Sequence, residues 1–277
     1  MLDLKFVLPD ELISIIKFPG IGSILVLGGS DTGKTTLIES LIRIFQDRFS
    51  LAVVDCDVGQ SHIGPPTTIA WSRVEEGFNR LQDMEMEDFY FVGDISPSGN
   101  IYRCLEGAEF IFKKAKSYAE KVIIDTSGYI NTEEAIDFKV SKIQLLKPEV
   151  IIALQRGNEL EQILEHIDTP SVFRIAVPVE VKQKSFPQRS LYREARFKEY
   201  FSSATEICFS KGIFTLPQQA LIDRLVGLRN FSGRYLALGI IRRITEGDIF
   251  LLTPLKETKD VHSIIIGAYR LQGLSEL

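Results

Sequence analysis

The chain has 277 residues, of which 45% are hydrophobic and 25% charged, with a net charge of −5 at neutral pH. These are ordinary values for a globular protein holding one large core or two smaller ones. No apolar run approaches the ~20 residues that span a bilayer, and the acidic balance argues against broad, unspecific nucleic-acid binding while leaving room for a local basic groove. Cys56, Cys104 and Cys208 are widely spaced and contain no C-x-x-C, so neither a disulfide framework nor a zinc site is expected. His62, His166 and His262 are too scattered for a metal cluster. Early acids and the lack of a signal-peptide pattern in residues 1–11 predict a cytoplasmic protein.

Residues 1–20 read as a short lead-in strand or hairpin. The apolar run 23–27 suits a buried strand, and 33–47 repeats apolar residues at helical spacing. Between them lies Gly28-Gly29-Ser30-Asp31-Thr32-Gly33-Lys34-Thr35, a complete G-x-x-x-x-G-K-[ST] phosphate-binding loop, with Thr36 following. Gly28 and Gly33 let backbone N–H groups close around phosphate oxygens, and the helix that follows adds the positive end of its dipole. Lys34 is placed to reach the β/γ-phosphates and Thr35 to hold Mg²⁺. The loop predicts nucleoside triphosphate binding but leaves open where the γ-phosphate goes.

A second strand at 51–55 ends in Asp55-Cys56-Asp57-Val58-Gly59-Gln60. Of its two carboxylates, Asp55 is the better metal partner. Asp57, in the turn opened by Gly59, is the better proton acceptor for an attacking hydroxyl. The acid-rich stretch 74–87 reads as a solvated loop or helix face. A third strand at 89–93 leads to Asp94 and a helix over 101–120. The fourth strand, 121–125, ends in Asp125-Thr126-Ser127-Gly128-Tyr129, a Walker B pattern that is also a D-x-x-G. Asp125 can serve the Mg²⁺ shell, with Thr126 or the Gly128 amide sensing phosphate. A capping aspartate before a helix over 131–147 explains the same letters.

A fifth strand at 150–155 is followed by Gln155-Arg156-Gly157-Asn158-Glu159-Leu160, not the N-K-x-D of a guanine-selective GTPase. A helix over 158–167 and a strand over 172–177 complete the alternation. It predicts an α/β fold, a doubly wound and mostly parallel sheet with ligands at the C-terminal strand ends. Residues 182–198 then hold six basic residues and one acid. Pro187 opens a helix on which Arg189, Arg193 and Arg196 share one face, suited to a lid over triphosphate or to a nucleic-acid phosphate. From about 207 to 277, short strands at 212–216, 236–241, 248–252 and 261–266 predict a small β-rich C-terminal subdomain, distinct from the 21–206 phosphate-loop domain.

Together these pieces resemble the polynucleotide 5′-hydroxyl kinase family, which includes the RNA kinase of the mRNA 3′-end cleavage machinery, ribosomal-RNA processing kinases and archaeal relatives. The carriers are the loop with Asp31 in G-x-x-D-x-G-K-T, Asp57-Val58-Gly59-Gln60, Phe91-Val92-Gly93-Asp94-Ile95-Ser96-Pro97-Ser98-Gly99-Asn100, Thr126-Ser127-Gly128-Tyr129 and the run 189–201. Leu225-Val226-Gly227-Leu228, Gly239-Ile240-Ile241 and Leu252-Thr253-Pro254 resemble the family's small end domain.

The resemblance implies transfer of a γ-phosphate from ATP or GTP, with Mg²⁺, to the 5′-hydroxyl of RNA or DNA. It implies Asp57 as general base, Gln60 beside the attacking oxygen, and Arg189 and Arg193 in an arginine lid at 182–201. Gly93, Ser96 and Pro97 would line the polynucleotide groove, and Tyr129, where larger relatives often have Trp, would offer an aromatic platform. Thr126 and Arg196 join the substrate side. The larger members carry an N-terminal β domain that helps hold the base. Residues 1–20 are too few to form it, which leaves ATP against GTP open. Two other readings stand beside the kinase. One is a nucleotide-dependent switch or assembly factor with slow hydrolysis and protein partners, and the other is a kinase of a small hydroxyl substrate.

Overall fold

The computed structural model describes residues 6–168, 171–210 and 221–271. Its larger sheet has the strand order β4-β3-β2-β5-β1-β6-β7. The parallel strands are β1 (Ser23–Gly28), β2 (Leu51–Cys56), β5 (Lys121–Thr126), β6 (Val150–Gln155) and β7 (Val172–Ala176). Every residue of β1, β2 and β5 is buried. That is why these segments are Val/Ile/Leu runs rather than alternating ones, since helices cover both faces. The helices are α2 (Lys34–Phe45), α3 (Ile101–Lys116) and α4 (Glu133–Leu146), with a single turn α5 (Glu161–Leu164) where a helix over 158–167 was expected.

Two further features depart from the expectations. The lead-in is a helix, α1 (Asp10–Ile16), not a strand or hairpin. Leu12 and Ile16, one turn apart, are fully buried, and Asp10 and Glu11 sit in the first turn, where the helix dipole favours acids. The third strand of the chain is β3 (Thr68–Arg73), which pairs antiparallel with both β2 and β4 (Asp88–Phe91). The expected strand at 89–93 is therefore the edge strand β4, reached through a hairpin, and Val92 and Gly93 lie beyond it.

The second sheet is antiparallel, in the order β12-β9-β10-β11-β8, from β8 (Thr205–Ser210), β9 (Arg224–Arg229), β10 (Tyr235–Ile244), β11 (Asp248–Thr253) and β12 (Ser263–Arg270). The strand expected at 212–216 lies outside the described residues. Between the sheets runs α6 (Phe186–Tyr200), and one apolar cluster joins Val26, Ile123 and Phe197 to Leu225, Tyr235 and Leu252. Phe89 of β4 stacks on Tyr235 of β10 at 5.9 Å, bridging the two sheets, and Phe197 of α6 stacks on Tyr269 of β12 at 5.7 Å. The backbones meet at Gly93 and Gly267. A Cβ on Gly93, whose φ is +91°, would lie 2.8 Å from the Gly267 Cα, and the Gly93 carbonyl accepts from the Tyr269 N–H at 3.0 Å. Among the described residues no helix is long and apolar enough to cross a membrane.

Candidate active site

Strand β1 lies between β5 and β6, so the chain turns to opposite sides of β1 and leaves a crevice at its C-terminal end. The phosphate loop fills this position. Gly33 caps α2 in the left-handed region (φ +90°), and a Cβ on Gly28 would lie 2.6 Å from the Thr32 hydroxyl and 3.0 Å from the Leu154 carbonyl. Thr32 donates to the Gly29 carbonyl at 3.1 Å, and the Lys34 ammonium reaches the same oxygen at 2.7 Å, which lays it across the loop mouth.

Asp55 and Asp57 end β2 and divide their work in a way the spacing did not reveal. The Asp55 carboxylate, 1% exposed, accepts from the amides of Asp57 (2.9 Å), His62 (2.6 Å) and Ile63 (3.0 Å) and from the Ser61 hydroxyl (3.2 Å). Its lone pairs are committed to folding the 57–63 loop, so the expected metal role of Asp55 is not supported by its place. Burial raises its carboxyl above the ordinary range, and the amides oppose the rise. Asp57 instead lines the cleft. Its Oδ1 accepts from the amides of Gly59 and Gln60, each at 3.0 Å, which aims the carboxylate.

Asp125 ends β5 beside the loop and is 3% exposed. Burial and the charge of Asp55 raise its carboxyl, while Lys34 opposes them. The next residues form a wall of the cleft. Gly128 packs on Ser30 so closely that a Cβ there would lie 2.4 Å from the Ser30 amide nitrogen.

Helix α6 begins with a capping box of Ser185 and Gln188 and with Pro187 in its first turn. Arg189 pairs with the Asp31 carboxylate at 2.5 Å, which also accepts the Lys184 amide at 3.0 Å. The Asp31 carbonyl accepts from Arg156 at 2.7 Å. Asp31 is therefore the point at which the lid meets the phosphate loop. Gln60 donates to the Arg189 carbonyl at 3.3 Å. Arg193 is 9% exposed, lines the cleft, and its Nε has no hydrogen-bond partner.

The cleft holds about 470 Å³. It gathers Ser30, Asp31, Thr32, Gly33, Lys34, Thr35 and Thr36 from the loop with Asp57, Gln60, Ser96, Pro97, Asp125, Tyr129, Arg189 and Arg193. Three expected substrate residues do not reach it. Thr126 is buried and donates to the Val26 carbonyl at 2.9 Å, tying β5 to β1. Gly93 stands at the seam with Gly267, where only a glycine fits. Arg196 braces the 61–64 loop through the carbonyls of His62 (2.8 Å) and Gly64 (3.0 Å).

His62, one of three histidines too scattered in the sequence to suggest a site, lines the cleft with Nε2 3.5 Å from the Thr35 hydroxyl. Burial pushes its imidazole down to about 4. The signal was its place, five residues past Asp57 in one loop. Among the described residues no group of three or more His, Cys, Asp or Glu could hold a metal unaided. Thr35 and Asp125, both on the cleft, fit Mg²⁺ of the kind that arrives with phosphate oxygens and needs only one or two hard protein ligands.

A family model described as the mRNA cleavage and polyadenylation factor CLP1 P-loop matches residues 28–203. A polyribonucleotide 5′-hydroxyl-kinase of Methanocaldococcus jannaschii is 37% identical over 183 residues, covering 65% of this chain and 50% of that protein. The chain thus spans about half the length of that relative. One of Thermococcus kodakarensis is 32% identical over 310 residues, covering 90% of this chain and 88% of the relative. The solved structure of wild-type Clp1p with Pcf11p superposes with a TM-score of 0.72 at 13% identity, covering 94% of this chain and 77% of that one, a likeness of fold.

Proposed function

The chain belongs to the CLP1 P-loop family, and from that premise we propose that it is a polynucleotide 5′-hydroxyl kinase, moving the γ-phosphate of ATP or GTP to the 5′-OH of RNA or DNA. The observation that carries the reading is Asp57. It shares one cleft with Lys34 and Thr35, and its Oδ1 is held by two loop amides. Among the described residues the hydrogen bonds accepted by its carboxylate all end on Oδ1, which leaves Oδ2 for an incoming hydroxyl.

The chemistry is an in-line displacement. The acceptor 5′-oxygen forms a bond to the γ-phosphorus, the bond from phosphorus to the β,γ-bridging oxygen breaks, and the hydroxyl proton passes to Asp57 Oδ2. The nucleoside diphosphate leaves with the bond's electron pair. Lys34 and the loop amides hold the donor phosphates. Arg189 and Arg193 on α6 balance charge on the transferring group, which in a cleft of low dielectric is worth more than in water. Thr35 and Asp125 would hold Mg²⁺, which when bound neutralises β- and γ-phosphate charge. Gln60, Ser96, Pro97 and Tyr129 border the side that an oligonucleotide end would enter, Tyr129 as a stacking surface. The three free cysteines, two of them buried, support a reducing, cytoplasmic setting, and RNA processing is the pathway class we assign.

The test uses γ-labelled ATP or GTP, Mg²⁺ and RNA or DNA oligonucleotides ending in either 5′-hydroxyl or 5′-phosphate. Label should appear only on the hydroxyl-ended strands. Label released as inorganic phosphate, with none on any oligonucleotide, would sink the kinase reading and favour a nucleotide-dependent switch.

A further inference from the structure

Helix α4 turns a stripe of Ala135, Phe138, Lys139, Lys142, Ile143 and Leu146 toward the sheet. These are helix-face spacings, and two of the six positions carry lysine. Both lysines are only 1% exposed. Burying an ammonium costs several kcal/mol unless partners compensate, so on a packing stripe an apolar residue would fold more readily. Their surroundings differ. Lys142 Nζ has no hydrogen-bond partner and lies 4.4 Å from the centre of the Phe138 ring. Lys139 Nζ donates to the Ser127 carbonyl at 2.5 Å and meets the Ser127 hydroxyl at 3.2 Å.

Ser127 and Gly128 are cleft wall, and Gly128 is in contact with the Ser30 backbone of the phosphate loop. The segment is thus gripped from two sides, by the loop in front and by a buried amine behind. We propose that Lys139 is a positioning residue for phosphoryl transfer, fixing the Ser127–Gly128 wall against the phosphate loop so that the wall meets the γ-phosphoryl group in one geometry. The proposal rests on the phosphoryl-transfer reading above. Burial pushes the Lys139 ammonium well down, Lys142 and Lys34 push the same way, and Asp57 and Cys56 oppose them. The donation to the carbonyl survives in either protonation state, because a neutral amine keeps N–H groups.

Three variants test it: Lys139→Met, Lys139→Gln and Lys142→Met. Each is measured for turnover, for KM of the triphosphate, for melting temperature, and for affinity toward the nucleoside diphosphate with and without aluminium fluoride, a mimic of the transferring group. Lys139→Met should lower kcat on the order of 100-fold, the usual cost of about 1 Å of misplacement. Its diphosphate affinity should stay within about threefold while the aluminium fluoride complex weakens at least about tenfold. Lys139→Gln keeps an N–H donor and should recover part of the loss. Lys142→Met removes an equally buried cation without touching the wall and should leave kcat within about threefold.

The proposal falls if Lys139→Met keeps its kcat and its affinity for the fluoride complex. It falls too if Lys142→Met loses as much, or if Lys139→Gln is no better than Lys139→Met. Unfolding of both Lys139 variants while Lys142→Met folds would also overturn it, by making Lys139 a residue of folding alone. A wild type that labels no oligonucleotide defeats the kinase reading, and the fluoride affinities still decide the role of Lys139.

Discussion

Gly128→Ala puts the closeness of wall and phosphate loop to a direct test. The new Cβ would stand 2.4 Å from the Ser30 nitrogen and 2.6 Å from its Cα, where ordinary contact begins at 3.4 Å, so about 1 Å must open. The Ser30 hydroxyl, 2.3 Å away, can rotate, but the backbone atoms cannot, since the loop is held between β1 and α2. The wall cannot retreat freely either, because Lys139 holds Ser127. Overpacking of this kind costs about 1–3 kcal/mol. At ~2–4 °C per kcal/mol for a chain of this size, Tm should fall by about 2–12 °C. The same shift at the site should lower turnover on the order of 100-fold at saturating triphosphate. Turnover is read as label transferred to a 5′-hydroxyl oligonucleotide, and Tm from thermal unfolding monitored by circular dichroism. Gly247→Ala is the control, with nothing within 4 Å and no positive φ. A Gly128→Ala protein with wild-type Tm and turnover within about threefold would refute the reasoning.

Asp57→Asn keeps the shape and the amide contacts but cannot accept the proton, so kcat should drop by about 10²–10⁴ while triphosphate affinity is retained. Equal loss of both, by titration binding, would assign Asp57 to nucleotide binding. Arg189→Ala should lower turnover far more than triphosphate affinity, and steady-state kinetics showing equal losses would mark a purely structural arginine. His62 predicts a pH effect on stability. Its imidazole is held at about 4 in the folded chain against an ordinary 6.5, so between these values this residue binds more protons in the unfolded chain than in the folded one. The contribution of His62 to stability is then lost as pH falls from 6.5 toward 4, on the order of 3 kcal/mol, while the raised carboxyls of Asp55 and Asp125 act in the opposite sense. The Tm difference between wild type and His62→Gln should therefore move against the wild type as pH falls from 6.5 to 4, and a difference that does not change with pH would refute the assignment.

The parallel strands were legible because burial on both faces demands unbroken Val/Ile/Leu, as in Lys121–Thr126. Strand β3 was not, since Thr-Ile-Ala-Trp-Ser-Arg mixes polar residues into a buried edge hairpin, with Ser72 buried opposite Val53. At the site, motif spacing brought the phosphate loop, Asp57 and Asp125 together, because each ends a neighbouring strand. Spacing could not divide labour between Asp55 and Asp57. That depends on amides of residues 62 and 63 folding back, a tertiary event. The contact of Gly93 was hidden for the same reason, its partner being 174 positions away at Gly267. Lys139 left a trace that was available: a charge on the apolar stripe of a helix.

The meeting of Gly93 with Gly267 ties the fate of the cleft to the end of the chain. Ile95, Ser96 and Pro97 start their course along the cleft two residues past that contact, and Phe91 beneath it is fully buried and shares one core cluster with Leu225 and Tyr235. Calorimetry should record a single endotherm, since the cluster that holds Phe91 spans both sheets. Every residue that lines the cleft falls within 28–203, yet a fragment cut to those bounds would carry the full set of side chains on a wall with nothing behind it.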